Sequence, residues 1–162
     1  MRVASPRAQR RPSVSIRSAR SAERHALEEL QRRASLHGGR YREQLLSHPE
    51  VIQIPAPHLE QGLVRVAEQG TRVVGFAALL AAVDGACELD GIFVEPELMG
   101  SGVGRALVDD AVAVARARGA ARIDVVANPE AVGFYRRLGF TDEGEVATRF
   151  GSARRMRLAV GR

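Results

Sequence analysis

The segment 94–107 reads VEPELMGSGVGRAL and carries three alternating glycines between an apolar strand pattern and the start of a helix. Glycine has no Cβ atom, so the backbone of such a loop can approach a ligand closely. The unbonded amides of the first helical turn add about half a positive charge at the helix N-terminus. The segment therefore predicts an anion site, most naturally for phosphate, although a turn that only joins a strand to a helix has the same pattern.

Two common nucleotide-binding loops do not fit this segment. A P-loop requires lysine and then serine or threonine after its glycines, and Arg105 and Ala106 stand there instead. The dinucleotide fingerprint has the spacing G-x-G-x-x-G near the start of a βαβ unit. Here the spacing is G-x-G-x-G and it follows several predicted strands.

A second motif lies downstream, where residues 122–140 read RIDVVANPEAVGFYRRLGF. The stretch 123–127 predicts a strand. Asn128 is a favourable N-cap and Pro129 suits the first helical position, while Gly139 can end the helix. The motif therefore predicts a strand that leads into a short, capped helix.

Taken together, V-x-P at 94–96, the loop 99–104 and N-x-x-A-x-x-F-Y-x-x-L-G-F at 128–140 resemble the GNAT superfamily of acyl-CoA-dependent N-acetyltransferases. The resemblance extends from about Val64 to Leu158. It implies an α/β fold with a mixed, mostly antiparallel central sheet of six to seven strands, flanked by about four helices and splayed at the acyl-CoA site. It also implies an acyltransferase that moves an acetyl group from acetyl-CoA directly to a primary amine of a small molecule or peptide, without a metal.

The same resemblance implies which residues contact acetyl-CoA. Backbone amides of the loop would hold the pyrophosphate, and the end of the preceding strand would bind the pantetheine arm. The family usually has Gln or Arg where this chain has Met99, which leaves either a weaker affinity or compensation by Arg105. Asn128 is either a cofactor contact or only a helix cap. The implied set is Phe93, Val94, Met99, Gly100, Ser101, Gly102, Val103, Gly104, Arg105, Asn128 and Tyr135.

Three residues are catalytic candidates: Tyr135, Glu88 and Asp90. Tyr135 stands where the family commonly has a general acid, and its alternative is a ring packed beside Phe134. Glu88 stands six residues before Val94, where a branch of the family has a catalytic glutamate. Without an intervening bulge, Glu88 and Asp90 would share a strand face with Ile92 and Val94. Their alternatives are a general base or an acidic wall that attracts a cationic acceptor.

Length and composition indicate the domain organisation and the cellular location that we expect for this chain. We expect one domain over residues 13–162 after a flexible, arginine-rich tail at 1–12. No apolar run approaches the roughly 20 residues of a membrane helix, so no membrane partner is expected. Cys87 is the only cysteine, which fits a reducing cytoplasm. The histidines show no metal-ligand spacing with Cys87: His25, His37, His48 and His58.

The net charge of +5 is concentrated at one end of the chain. Residues 1–42 carry 11 arginines and 3 acidic residues, whereas the remainder carries 13 arginines and 16 acidic residues. This distribution argues against a nucleic-acid partner. The sequence contains no lysine, which excludes a lysine nucleophile. A homodimer paired through the final strands is compatible with the sequence, and the alternative function is a non-catalytic, regulatory acyl-CoA-binding module.

The remaining segments complete the predicted order of elements. The stretches 63–67 and 73–80 predict a hairpin, and 86–94 predicts a third strand antiparallel to it. The segment 48–61 contains three prolines and predicts an irregular connector. We expect acceptor specificity to be set by residues 32–62 and by the loop at 148–151. The other predicted elements are a strand at 13–17, helices at 21–35, 40–47 and 102–118, and two final strands.

Overall fold

The computed structural model describes residues 13–161, so the predicted tail at 1–12 lies outside the described residues. Five α-helices are present in the described chain: α1 (Arg24–His37), α2 (Arg42–Ser47), α3 (Ala56–Glu60), α4 (Val103–Ala117) and α5 (Val132–Arg137). The strands are β1 (Ser15–Ser18), β2 (Val64–Gln69), β3 (Arg72–Leu79), β4 (Ala86–Val94), β5 (Arg122–Ala127), β6 (Thr141–Thr148) and β7 (Gly151–Ala159).

All seven strands belong to one sheet in the order β1-β2-β3-β4-β5-β7-β6. Each neighbouring pair is antiparallel except β4 and β5, which are parallel and joined through α4. The predicted hairpin of β2 and β3 is confirmed, with Gly70 at φ +63° in its turn. The predicted α/β class with a mixed, mostly antiparallel sheet is confirmed, with five α-helices rather than about four.

The sheet buries a hydrophobic core on each face. Helix α4 places Val103, Leu107, Val108, Ala111 and Ala115 on one stripe, and these side chains pack against the first face. On the opposite face, α1 contributes Leu27 and Leu30 to a smaller core around Phe76. The strands between the two cores are consequently fixed from both sides, which gives the site described below a rigid support.

Local hydrogen bonding shifts several helix boundaries from their predicted positions. Helix α5 begins at Val132 because residues 129–131 form a separate turn after Asn128. The connector predicted to be irregular contains a short 3-10 helix at Pro49–Val51 and then α3, which starts directly after Pro55. Proline fixes φ in the helical range and lacks an amide hydrogen, so it begins helices as readily as it interrupts them.

The sheet opens between β4 and β5. These two strands pair only over Ala86–Leu89 and Arg122–Val125. Beyond that point β4 continues to Val94 alongside β3 alone, and the end of β5 pairs with β7 alone. The sheet is therefore splayed at the carboxyl ends of its two parallel strands, directly before the glycine loop.

Candidate functional site

A β-bulge in β4 lies where the sheet opens. Ala78 of β3 is paired with Gly91, and the next residue, Leu79, is paired with Leu89, which leaves Asp90 as the additional residue. A bulge of one residue reverses the alternation of side chains along a strand. Glu88 therefore faces away from the core that Cys87 and Leu89 enter, whereas Ile92 and Val94 pack against that same core.

This bulge corrects the expectation that Glu88 and Asp90 share a face with Ile92 and Val94. Glu88 projects toward the side of the sheet covered by α1, the side on which Phe93 packs. Both carboxylates are exposed. Glu88 therefore lies across the sheet from the α4 core, on the same side as the segment predicted to border the acceptor, and Asp90 is the exposed bulge residue beside it.

The backbone of β4 presents polar groups to the opened edge. The amide of Glu95 donates to the carbonyl of Val74 on β3 at 2.9 Å. Because backbone groups alternate along a strand, the amide of Phe93 also faces β3, whereas those of Ile92 and Val94 face the edge that β5 has left. The predicted backbone contact therefore fits Val94. The residues predicted from the sequence do not include Ile92, although it lies two residues before Val94 and its amide therefore faces the same edge. They do include Phe93, whose amide faces β3 instead.

The glycine loop leaves most of its amides without a protein acceptor. Gly100 has φ +79°, and Gly102, the residue before α4, has φ +99° and ψ 0°. The amide and hydroxyl of Ser101 both donate to the carbonyl of Leu98, so Ser101 offers no free amide. Within the described chain, no backbone hydrogen bond is donated by the amides of Gly100, Gly102, Val103, Gly104 and Arg105.

Met99 does not replace the polar side chain that is usual at its position in the loop. Its side chain is 45% exposed and lines a surface cavity of about 350 Å³ beside the loop. Arg105 is exposed and forms no ion pair with any other described residue. Arg105 is therefore free to contact an anion bound at this loop.

Helix α5 packs against the start of α4 through aromatic rings. A Cβ atom at Gly104 would stand 3.0 Å from Cζ of Phe134, so any larger residue would require the Phe134 ring to shift by a few tenths of an ångström. The Asn128 carboxamide oxygen accepts a hydrogen bond from the amide of Ala131 at 3.0 Å. Asn128 thus caps the turn that precedes α5, whereas the N-cap of the helix itself is Ala131 and not Asn128 as predicted. The side-chain nitrogen of Asn128 makes no hydrogen bond within residues 13–161.

Tyr135 is held between Phe134 and Phe140, with ring centroids 5.1 and 5.2 Å away in edge-to-face arrangements. The residue is 5% exposed and its hydroxyl has no hydrogen-bond partner in the described structure. Since no fully enclosed side-chain oxygen lacks a partner there, the hydroxyl tip must reach the protein surface. Burial of the ring raises the pKa of Tyr135 to about 12, so the phenol is protonated at neutral pH.

An ion pair with a buried carboxylate joins α1 to the end of β4. The Arg33 guanidinium donates to both carboxylate oxygens of Glu95, at 2.5 and 3.2 Å. The Glu95 side chain is 6% exposed, and that of Arg33 is 52% exposed. Hydrogen bonding to Glu95 raises the pKa of Arg33. Glu95 directly precedes the loop, so this pair fixes the loop relative to α1, and it was missed because its partners are 62 residues apart.

We expect Arg33→Met to lower the free energy of unfolding by about 1–3 kcal/mol, because it leaves a buried carboxylate without its partner. Urea denaturation measures this loss. Arg32→Met is the matched control, since the Arg32–Glu29 pair is 3.9 Å long and its carboxylate is 46% exposed, against 6% for Glu95. Equal effects of the two substitutions would contradict a structural role for the Arg33–Glu95 pair.

The two segments predicted to border the acceptor contact each other. The Tyr41 ring lies 6.3 Å from that of Phe150 at the tip of the β6–β7 hairpin. Arg149 in the same tip pairs with Glu50 at 3.5 Å. A Cβ atom at Gly38 would stand 2.8 Å from the Glu130 carboxylate, so the end of α1 also meets the turn before α5. The α1–α2 region therefore borders the opened edge from both sides.

Residues 13–161 contain no group of three or more His, Cys, Asp or Glu side chains that could hold a metal ion. Cys87 is fully buried in the α4 core. None of the described helices is both long enough and apolar enough to cross a membrane.

Comparison with known proteins agrees with this geometry. The model of the acetyltransferase (GNAT) family matches residues 24–140. A segment of 59 residues is 44% identical to serotonin N-acetyltransferase 2, chloroplastic, of Oryza sativa subsp. japonica, and covers 32% of this chain and 30% of that protein. The chain thus spans less than a third of that relative's length.

Two solved structures show the same fold over almost the whole chain. The PaiA N-acetyltransferase of Thermoplasma acidophilum, solved in complex with coenzyme A, superposes with a TM-score of 0.73 at 18% identity and covers 91% of this chain and 99% of that one. The yncA protein of Salmonella typhimurium, solved with its cofactor acetyl-CoA, gives a TM-score of 0.67 at 22% identity and covers 93% and 95%.

Proposed function

The chain belongs to the GNAT acetyltransferase family, and on that premise we propose that it transfers the acetyl group of acetyl-CoA to a primary amine of a small molecule or peptide. The observation that carries the proposal is the row of five amides without protein acceptors at the glycine loop, beside the opened edge of β4. Helix N-termini of this kind bind phosphate groups. The solved relative from Thermoplasma acidophilum holds coenzyme A.

In this proposal the glycine loop and the edge of β4 bind different parts of acetyl-CoA. The amides of Gly100 and of residues 102–105 donate to the pyrophosphate, with Arg105 adding a side-chain charge in place of the usual residue at Met99. The backbone groups of Ile92 and Val94 bind the amide groups of the pantetheine arm. When bound, acetyl-CoA supplies an activated acetyl group: its C–S bond breaks as the C–N bond to the amine forms, and CoA leaves as the thiol.

Tyr135 stabilises the departing sulfur by a hydrogen bond in this proposal. With its pKa raised to about 12, the phenol cannot readily give up its proton to a thiolate of pKa about 8.5, because that transfer is uphill by about 5 kcal/mol. A hydrogen bond carries no such cost. Tyr135 therefore keeps its proton and donates a hydrogen bond to the thiolate, and the thiolate becomes the thiol by taking up the proton that the amine releases.

Glu88 receives the proton of the amine or holds the ammonium group before transfer. It is exposed on the α1 side of β4 and forms no ion pair with any described residue. Asp90, the bulge residue, adds a second exposed carboxylate two positions further along. The two interpretations differ in the effect of Glu88→Gln, which lowers kcat if Glu88 is a general base and raises KM for a cationic acceptor if it is part of an acidic wall.

Release of CoA thiol over a panel of amines tests the proposal, with acetyl-CoA binding measured separately by calorimetry. Turnover on any amine supports it. Tight acetyl-CoA binding without turnover on any amine would instead support the alternative, a non-catalytic, regulatory acyl-CoA-binding module. Absence of acetyl-CoA binding would overturn both.

We also propose that residues 13–162 act as a single domain, which the shared seven-stranded sheet supports. The protein acts in the cytoplasm, as its single cysteine led us to expect. A homodimer would pair through the final strands, and β6 lies at the edge of the sheet where such pairing is open.

A further inference from the structure

One face of the sheet, on the side of α1, carries charged side chains from three adjacent strands. Glu88 of β4 is paired with Asp124 of β5, and Asp124 is paired with Arg157 of β7. Arg122 and Arg155 share this face, because they lie two residues from Asp124 and Arg157 along their strands. The residues between them enter the opposite core. We call Glu88, Arg122, Asp124, Arg155 and Arg157 the charged face.

Asp124 positions two of the arginines. Its side chain is 12% exposed and accepts from Nε of Arg157 at 2.9 Å and from Nε of Arg122 at 3.4 Å. The terminal nitrogens of both guanidinium groups make no hydrogen bond within residues 13–161. Those nitrogens are therefore oriented by a fixed carboxylate and left free to bind an anion.

Arg155 is the third cation of the charged face and lacks a partner of its own. It is half-buried and forms no hydrogen bond or ion pair with any other described residue. It stands opposite Val126, at the position where β5 has separated from β4. The half-buried Arg155 thus lies one strand away from the opened edge, beside the part of β5 that has separated from β4.

The charges on this face are unevenly distributed. Glu88 stands on β4, whereas Asp124 on β5 pairs with Arg122 and Arg157 and leaves Arg155 on β7 without a partner among the described residues. Glu143 of β6 is a further carboxylate that acts on Arg157. The backbones of β4 and β7 are about 10 Å apart across two strand spacings. The long side chains of Glu88 and Arg155 extend into this gap between the strands. A molecule that spans the remaining distance, with an amine at Glu88 and a carboxylate at Arg155, has only a few atoms between those two groups.

The rim of the site also favours a small acceptor. The β6–β7 hairpin extends beyond the end of β5, since the pairing of β5 with β7 begins only at Arg154. Its tip meets the α1–α2 region through Tyr41–Phe150 and Arg149–Glu50. These contacts close that end of the charged face to an extended polypeptide, which favours a small acceptor.

We propose that the acceptor is a small amino acid whose carboxylate is bound by Arg155 and by the terminal nitrogens of Arg157, while its amine lies at Glu88. This proposal rests on the proposed acetyltransferase function and specifies the substrate class for the same site. Guanidinium and carboxylate groups match in a planar, two-bond geometry, which an ammonium or neutral amine cannot reproduce. The carboxylate therefore orients the amine toward the opened edge.

Matched acceptors that differ only in the carboxylate test the proposal. Glycine, β-alanine and 4-aminobutanoate are compared with glycinamide, β-alaninamide and 4-aminobutanamide, and the chain-length series reports the distance between the two ends of the site. We expect kcat/KM to favour the best acid over its amide by about 10- to 100-fold, as hydrogen bonds between charged groups imply. Equal rates for acids and amides would overturn the proposal.

Arg155→Gln distinguishes this recognition from a general effect on the fold. It should raise KM for the preferred acid by about 10- to 100-fold, with kcat and the kinetics of the matching amide little changed. Arg154→Gln is the control, because Arg154 is the next residue on β7, points to the opposite face and pairs with Asp142 at 2.9 Å. Parallel losses for acid and amide in Arg155→Gln would contradict carboxylate recognition.

Calorimetry separates failure of this proposal from failure of the proposed function. Turnover on neutral amines without any preference for acids would contradict the proposed amino-acid acceptor but still support the proposed acetyltransferase function. If no amine is acetylated, the acetyltransferase proposal fails, and the titration of each acid and its amide into the CoA-saturated protein still decides whether the charged face binds carboxylates. Binding of the acid, weakened in Arg155→Gln, would support that site, and equal binding of acid and amide would exclude it.

Discussion

Tyr135→Phe is expected to lower kcat by about 100-fold while leaving the affinity for coenzyme A nearly unchanged. The hydroxyl is the only group removed, and it is the donor proposed to stabilise the departing thiolate. Removal of one preorganised donor from a site of developing negative charge typically costs 100- to 1,000-fold in kcat. Because the hydroxyl makes no hydrogen bond in the described structure, its loss should not disturb the packing of the ring against Phe134 and Phe140.

Two measurements separate this effect from unfolding. Steady-state kinetics gives kcat, and calorimetry with coenzyme A gives the affinity, so a selective fall in kcat is directly visible. The melting temperature of Tyr135→Phe should match that of the unsubstituted protein at neutral pH. Unchanged turnover in the variant would remove Tyr135 from the mechanism and leave it as a packed core residue.

The alkaline stability curve checks the burial of Tyr135 independently of activity. The phenol ionises near pH 10 in the unfolded chain and near pH 12 in the folded protein. The folded state therefore holds this proton more tightly than the unfolded chain does. The resulting contribution to the free energy of unfolding, about 3 kcal/mol, is present below pH 10 and is lost as the pH rises toward 12. Tyr135→Phe should lack this loss, and an identical pH dependence in both proteins would show that the phenol is not desolvated.

The sequence predicted the parts of the site that depend on local chemistry. The glycine loop, the strand before it and the Asn128 cap all follow from glycine conformations, side-chain alternation and capping within a few residues. Tyr135 was assigned through the family motif, which is equally local. These features could be predicted because neighbours along the chain determine them.

Features that depend on pairing between distant segments could not be predicted in this way. The bulge at Asp90 depends on the register with β3, and it reversed the expected face of Glu88. The Arg33–Glu95 pair joins residues 62 positions apart. The charged face arises only because β7 lies beside β5, so the sequence showed its arginines merely as an alternation near the chain's end.

A substitution in the glycine loop is expected to have the second large effect, a loss of affinity for coenzyme A. The loop amides are oriented by positive φ values that L-residues rarely adopt. Gly102→Ala should raise the Kd for coenzyme A by about 5- to 150-fold. At φ +99° an alanine is strained by roughly 1–3 kcal/mol, although nothing lies within 4 Å of its Cβ position. If the free loop relaxes to relieve that strain, binding must restore it, and the same free energy appears as lost affinity.

Gly119→Ala provides the matched control at the other end of the same helix. Gly119 has φ +76° and also has nothing within 4 Å of a Cβ position, so alanine there is strained in a similar way. It should lose stability in urea without any change in coenzyme A affinity, which calorimetry measures for both variants. Since both substitutions add one methyl group in open space at a positive φ, only the position of the strained residue differs. A Gly102→Ala protein that loses stability but binds coenzyme A normally would contradict this expectation, because the strain would then be equal in the free and the bound loop.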